Sequence, residues 1–357
     1  MFKESYTVIG VMSGTSLDGV DLAHIQFTIS EGKWHYKIKE SETVSYEAPW
    51  LNKLRTAVDF SEAALAQLNS EYTQLLAQTI TAFIQKHQLT ELDAVCSHGH
   101  TILHQPHNRF TLQIGNLPEI ATLVGETVVC DFRVQDVQLG GQGAPLVPIG
   151  DRLLFADYDY CLNLGGFSNV SFEQDGQRLA FDISPVNTVL NFYANQLGLA
   201  YDDGGTLARS GNLNEALLAA LNALEYYQKP FPKSLGFEYV KSVVLPLLET
   251  YPIALEDKLH TFTEHIAYQT RVALPNPQGK MLVTGGGAYN RYLLERMQQY
   301  VPQLELIVPE EKTLEFKEAL IFGLLGVLKL RNEINVLCSV TGASRNHSSG
   351  MIYTATA

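Results

Sequence analysis

Basic residues are scarce in this chain. Its 25 lysines and arginines stand against 38 aspartates and glutamates, for a formal charge of −13 at pH 7. Such a surplus repels nucleic-acid phosphate and anionic lipid, so neither is expected as a general partner. Local backbone donors can still bind a nucleotide's phosphates in an acidic protein. Long apolar runs are missing too: the longest, residues 319–328, is too short to span a bilayer. Residues 1–6 lack a basic stretch followed by an apolar core, so no signal peptide is expected. Only four cysteines occur, Cys96, Cys130, Cys161 and Cys338, far apart and inside mostly apolar runs. They are read as reduced core residues of a cytoplasmic protein. No low-complexity segment interrupts the chain, and neither a P-loop nor a complete Gly-x-Gly-x-x-Gly fingerprint is present.

What is present suffices for two domains of ordinary size: 357 residues, 46% of them hydrophobic. An apolar run at residues 6–11 enters Met12-Ser13-Gly14-Thr15-Ser16-Leu17-Asp18-Gly19-Val20-Asp21, and an alternating run at 21–29 leaves it. This predicts a β-hairpin whose tip offers glycine turns, hydroxyls and free N–H groups to a phosphate tail. Asp18 and Asp21 beside such a tip would hold Mg²⁺ through water, since Mg²⁺ takes few protein oxygens. An ordinary tight hairpin is the competing reading.

Residues 34–46 then alternate as a third strand, and the three-and-four spacing of Leu65, Leu68, Tyr72, Leu76, Ile80 and Phe83 predicts a helix over 61–88. A short buried strand at 93–97 leads into Ser97-His98-Gly99-His100-Thr101, expected as a polar turn facing a ligand. The histidines at 98, 100, 104 and 107 match no familiar zinc spacing. Arg133, after a strand at 127–132, is expected either to pair with Asp131 or Asp136 or to bind a substrate carboxylate.

The opening pattern recurs. A strand at 160–164, the tip Gly165-Gly166-Phe167-Ser168-Asn169 and strands at 170–172 and 178–181 repeat the order of the N-terminus, which suggests a duplicated unit. Two such hairpins facing each other across a cleft would clamp a triphosphate. Ser184 is expected to cap a helix beginning at Pro185. Asp182, at the preceding strand end, reads equally as a carboxylate satisfied by nearby N–H groups or as a general base. Further helices are expected over 214–224, 237–251 and 255–274. Lys233 reads more readily as an exposed lysine than as a phosphate ligand. A strand at 280–284 enters Gly285-Gly286-Gly287-Ala288-Tyr289-Asn290, bare backbone suited to an adenosine site. A last strand covers 304–308, and a helix apolar nearly all round covers 316–330 with Glu318 near its start.

The motif from Met12 to Asp21 closely resembles the opening signature of the anhydro-N-acetylmuramic acid kinases. Ser97-His98-Gly99, Asp131-Phe132-Arg133, Gly140-Gly141-Gln142-Gly143-Ala144-Pro145, Asn163-Leu164-Gly165-Gly166, Pro232-Lys233-Ser234, Thr284 to Asn290 and Lys317-Glu318-Ala319 resemble that family's further blocks, in its order. The resemblance implies an α/β fold of two duplicated ribonuclease-H-like domains, of the actin, hexokinase and Hsp70 type, closing over ATP·Mg²⁺. The division expected is 1–135, with 335–357, against 136–334.

It also implies an activity, ring opening of the 1,6-anhydro sugar by water with phosphorylation of O6, in peptidoglycan recycling. Asp182 would be the base. Gly14, Thr15, Ser16, Leu17, Asp18, Gly19, Val20 and Asp21 would bind ATP, with Gly165 and Gly166, Gly285 to Gly287 and Asn290. His98, Thr101, Arg133 and Glu318 would bind the sugar, Arg133 at its lactyl carboxylate. A homodimer is what the family suggests. Three departures bear on substrate preference: Ser184 and Val186 replace glycines usual in the family, and His100 replaces glutamine. Phe237 stands where the family usually has arginine. A kinase of another amino or anhydro sugar, or a non-catalytic ATP-binding sensor, is the alternative.

Overall fold

The computed structural model describes residues 2–14 and 17–355; Thr15 and Ser16 of the hairpin tip lie outside it. The described residues form a mixed α/β architecture with twelve strands. These are β1 (Ser5–Ser13), β2 (Val20–Ser30), β3 (Lys33–Val44), β4 (Ala94–Gln105), β5 (Phe110–Ile114), β6 (Val128–Cys130), β7 (Tyr160–Leu164), β8 (Phe167–Gln174), β9 (Gln177–Pro185), β10 (Gly279–Thr284), β11 (Leu304–Ile307) and β12 (Met351–Tyr353).

They make two sheets in two separately packed units, Met1–Leu154 with Phe316–Ala357, and Phe155–Glu315. The first sheet has the order β12-β6-β4-β1-β2-β3, with β5 on β4; the second has β11-β10-β7-β8-β9. In each, a three-stranded antiparallel meander adds two parallel strands beside its first member: β4 and β6 next to β1, β10 and β11 next to β7. Helices form the crossovers in both, as parallel connections require. The duplicated architecture read from the two glycine tips is therefore a repeated topology.

In the first unit β1 is covered on both faces, which is why residues 8–11 are apolar without alternation. The helix Glu62–Lys86, N-capped by Ser61, packs Leu65, Leu76, Ile80 and Phe83 into one cluster with Ile9, Val11 and Leu22. The other face takes the helix Glu311–Leu330. A Cβ placed on Gly10 would lie 1.9 Å from the Ala319 carbonyl oxygen, so glycine lets this helix rest on the strand backbone. Beside it Lys317 and Asp151 form a buried ion pair at 2.8 Å. The helix is broken at Phe316 (φ −106°, ψ 19°), where the two units divide.

Packing breaks the chain at 154/155 and 315/316, not at the expected 135/136 and 334/335. Residues 136–154 stay with the first unit because Asp136 is buried there and the helix Pro148–Leu154 packs beside β3; residues 316–330 stay because they cover β1.

Three other expectations change. The polar turn at 97–101 is strand: β4 continues to Gln105 and pairs with β5. Ser184 caps no helix. Ser184 and Pro185 finish β9 opposite Ser168 and Phe167, and the helix begins at Asn187. Proline is tolerated there because β9 is an edge strand. The helix expected over 237–251 is divided by a π-helical turn, Val240–Val244.

Candidate functional site

In the first unit the candidate residues gather around a bulge. Between β1 and β4 the register jumps from Val11 opposite Ser97 to Ser13 opposite His100. His98 and Gly99 thus fall in a β-bulge, a device that re-aims side chains. His98 Nδ1 is 2.9 Å from its neighbour's carbonyl, Gly99 O, and must donate to it. That fixes the neutral tautomer and makes Nε2 the acceptor for Arg133 Nε–H at 2.8 Å. Burial, and then the adjacent guanidinium, hold His98 well below the usual imidazole range. Arg133 Nη1 donates to Gly143 O at 2.7 Å. Burial brings Arg133 down to about 10, with Glu318 opposing the shift.

Among the described residues Arg133 donates to a histidine and a backbone carbonyl, and not to Asp131 or Asp136. Glu318 keeps access to solvent although protein surrounds it. Its carboxyl is pushed upward by burial, is lowered by Arg133, and is raised again by the charge of Asp21. Asp21 accepts from Thr43 Oγ1 at 2.6 Å, and Asp18 is exposed. Asp21 and Glu318 are carboxylates close enough for the charge of one to bear on the other, hard oxygen donors of the kind Mg²⁺ takes through water. Among the described residues no group of three or more metal-ligating side chains occurs. Thr101 is turned to β5, where its Oγ1 accepts from Gln113 Nε2 at 3.3 Å.

Ser13, which begins the tip, is held by a buried polar chain. Its Oγ lies 2.6 Å from Tyr46 OH and 2.8 Å from His100 Nδ1, and Tyr46 OH bonds Tyr72 OH. Burial pushes His100 down to about 4, so it is neutral at physiological pH. Sequence reasoning missed this chain because its members come from three separate elements and a loop.

The second unit has its own bulge. Ser168 pairs with Ser184 but Asn169 pairs with Asp182, leaving Ile183 as the extra residue of β9. Asp182, at the bend, accepts from Leu235 N through Oδ2 at 2.8 Å. Its own N–H donates to Lys233 O (3.1 Å) and its carbonyl accepts from Tyr226 OH (2.6 Å). Burial raises its carboxyl above the usual range and the Leu235 N–H opposes that. Tyr226, Leu235 and Gly236 also line a cavity of about 310 Å³. Lys233 lies 4.6 Å above the Tyr226 ring. Half-buried rather than exposed as expected, it also donates to Tyr226 O at 3.2 Å, and burial lowers its ammonium.

At the carboxyl ends of β7 and β10 the glycine segments meet. Gly166 O accepts from Val186 N and Thr188 N, and Gly165 O from Asn187 N, joining the tip to the following helix. Gly285 (φ 82°) leaves no room for a Cβ, which would lie 2.8 Å from the Leu164 carbonyl oxygen, and Gly287 likewise packs against Leu164, so this backbone lies on the end of β7. Asn290 caps the helix Arg291–Tyr300 by accepting from Leu293 N at 3.0 Å, so its carboxamide oxygen is already engaged. The loop Gly204-Gly205 packs on Asn290 and Arg291 and was not singled out from sequence.

Residues 6–355 match the family model for anhydro-N-acetylmuramic acid kinase.

The chain belongs to the anhydro-N-acetylmuramic acid kinase family.

Relatives bearing that name include one from Saccharophagus degradans, 35% identical over 97% of this chain and 98% of its own. One from Shewanella denitrificans is 34% identical over 99% and 100%. A solved structure, component A of (R)-2-hydroxyglutaryl-CoA dehydratase from Acidaminococcus fermentans, aligns over 91% of this chain and 99% of its own, with a TM-score of 0.45 and 14% identity.

Two of this kinase's departures from the family pattern do not reach a pocket. Ser184 and Val186 are wholly buried; Ser184 bonds Ser168 and Val186 belongs to the second unit's apolar core. Both were expected to bear on substrate preference; being wholly buried, neither offers its side chain to a ligand at the surface. Phe237 is half exposed, with Lys241 Nζ over its ring.

Proposed function

We propose that this chain opens the 1,6-anhydro ring of anhydro-N-acetylmuramic acid and phosphorylates O6 with ATP, giving N-acetylmuramic acid 6-phosphate and ADP. The observation that carries the reading is Asp182 at a bulge within a family-wide match. One carboxylate oxygen is held by a backbone N–H, and burial makes the group a stronger base than an ordinary aspartate.

Asp182 takes a proton from water as that water's oxygen bonds to the anomeric carbon. The C1–O6 bond breaks, its electron pair stays on O6, and O6 attacks the γ-phosphorus while ADP leaves. Catalysis of the second step is chiefly positioning and charge neutralisation. The hairpin tip from Gly14 to Asp21 and the Gly166 N–H supply donors for phosphate, with Gly165, whose own N–H is held by Phe167 O, giving close backbone approach beside it; Gly285 to Gly287, with Asn290 shaping the helix start behind them, take the adenosine. Mg²⁺, when bound, neutralises phosphate charge, with Asp18, Asp21 or Glu318 as water-mediated partners. Arg133 takes the lactyl carboxylate, and His98 orients it. Glu318 accepts a sugar hydroxyl, and Thr101, held by Gln113 on β5, is left out of direct sugar contact in this scheme.

The deciding experiment compares ADP and phosphosugar release by the parent and Asp182→Asn, with ATP, Mg²⁺ and the anhydro sugar. Loss of about 10²–10⁴-fold in the variant is expected. ADP release indifferent to the sugar overturns the substrate, and a variant at full rate overturns the base. A homodimer and a cytoplasmic location go with this reading; sedimentation and cell fractionation check them. No helix among the described residues is long and apolar enough to cross a membrane.

A further inference from the structure

Arg133 is the last member of a longer chain of contacts. The Gly143 carbonyl that holds its Nη1 belongs to a residue whose N–H donates to Asp136 Oδ2 at 2.7 Å. Both polar groups of Gly143 are therefore committed, which fixes the direction of its carbonyl. Its φ of +67° and the Val137 methyl 2.8 Å from where a Cβ would lie restrict the position to glycine. Asp136 is fully buried, and its other oxygen accepts from Thr341 Oγ1 at 2.7 Å, with His347 Nε2 at 3.5 Å.

Thr341 belongs to the C-terminal stretch, far from Arg133 in sequence. That stretch is fastened to the glycine loop by backbone bonds as well, Gln142 N to Thr341 O at 2.8 Å and Ser344 N to Leu139 O at 3.1 Å. From below, Ser349 Oγ donates to Phe132 O at 2.6 Å, and Asn335 ties Ser349 to the end of the long helix. With Nε and Nη1 occupied, Arg133 presents Nη2 for an anion, and a planar guanidinium serves only if its plane is held.

We infer that the C-terminal stretch positions Arg133 through Thr341, Asp136 and Gly143, making Thr341 a positioning residue that sets selectivity for carboxylate-bearing sugars. The inference rests on the reading of Arg133 as the carboxylate receptor. Thr341 touches neither sugar nor nucleotide in this scheme. Its hydroxyl holds one end of the Asp136 carboxylate, whose other end holds the loop.

The test uses the full chain and two substrates, the anhydro sugar acid and the same sugar with its lactyl carboxyl amidated. Thr341→Val keeps the volume and removes the donor. It is expected to raise KM for the acid about tenfold, leaving kcat and the KM values for the amide and for ATP within about twofold. Thr341→Ser is expected to restore the acid's KM. An unchanged KM for the acid in Thr341→Val overturns the proposal, as does a rise shared equally by acid, amide and ATP. If Thr341→Val fails to fold, Thr341→Ser and Thr341→Ala compared with each other give the same readout. Arg133→Met separates the two layers. If it leaves the acid and amide equally discriminated, the carboxylate reading fails. If it abolishes discrimination while Thr341→Val does not, only the relay fails.

Discussion

Asp182 holds its charge in surroundings that disfavour it. Its carboxyl titrates higher folded than unfolded, so the folded state binds the proton more readily between those two values. The resulting stabilisation is present below the ordinary carboxylate range and is lost as pH rises through the folded value. Asp182→Asn, whose carboxamide oxygen can still accept from Leu235 N, should therefore be more stable than the parent at pH 7, with the gap closing on acidification. Thermal unfolding at pH 7 and pH 4 checks this. Activity has the opposite dependence, because the base must be ionised: kcat/KM should fall on the acid side at a pH above that of an ordinary aspartate.

His100 makes a second residue-scale case. Pushed down to about 4, it is neutral and acts only through its bond to Ser13. His100→Gln should hold kcat/KM within about threefold. His100→Leu, leaving Ser13 short of a buried partner, should cost about 1–3 kcal/mol in chemical denaturation. The glycine tips and the strand end carrying Asp182 were legible because each signal is local in sequence, whereas the base role given to Asp182 comes from the family resemblance. The holders of Arg133 were not, since Thr341 meets Asp136 across two hundred residues of chain. Val186 shows the converse. A glycine-to-valine departure looks like a pocket change until the fold places it in an apolar core.

At the scale of elements, period and propensity read well wherever one face alone decides burial. The helix Glu62–Lys86 and the meander β1-β2-β3 follow from spacing. β4 did not, because His98, His100 and His104 interrupt its apolar pattern while the pairing with β1 and β5 holds it extended. The Ser-Pro pair at 184–185 carries a helix-start signal, but pairing with β8 overrides it. The seating of Glu318 depends on two contacts that no spacing reveals. Gly10→Ala would drive a methyl into the Ala319 backbone and should cost about 3 kcal/mol or more. Asp151→Asn would take from the buried Lys317 ammonium its carboxylate partner at 2.8 Å and should cost about 3–5 kcal/mol. Equilibrium denaturation reads both, and sugar affinity should weaken with them if Glu318 shifts.

The whole molecule is two copies of one topology, each with its own apolar core. Both tryptophans, Trp34 and Trp50, belong to the first unit. Tryptophan fluorescence, excited at wavelengths that tyrosine does not absorb, therefore reports that unit alone, whereas far-UV circular dichroism reports both. Gly10→Ala should move the fluorescence midpoint to lower denaturant and pull it away from the dichroism midpoint; coincident shifts would mean that the units unfold as one.

The first unit is also assembled from both ends of the chain, its long helix and closing strand coming from residues 316–357. On the ribosome, the N-terminal sheet is made first and must wait with one face uncovered. The second unit, contiguous in sequence, has all its parts before the first can close. Domains usually fold in the order of synthesis, and here that order is reversed: the hairpin of β1 and β2 gains its covering helix only after the whole second unit has been made, and the waiting sheet is the surface a chaperone would meet.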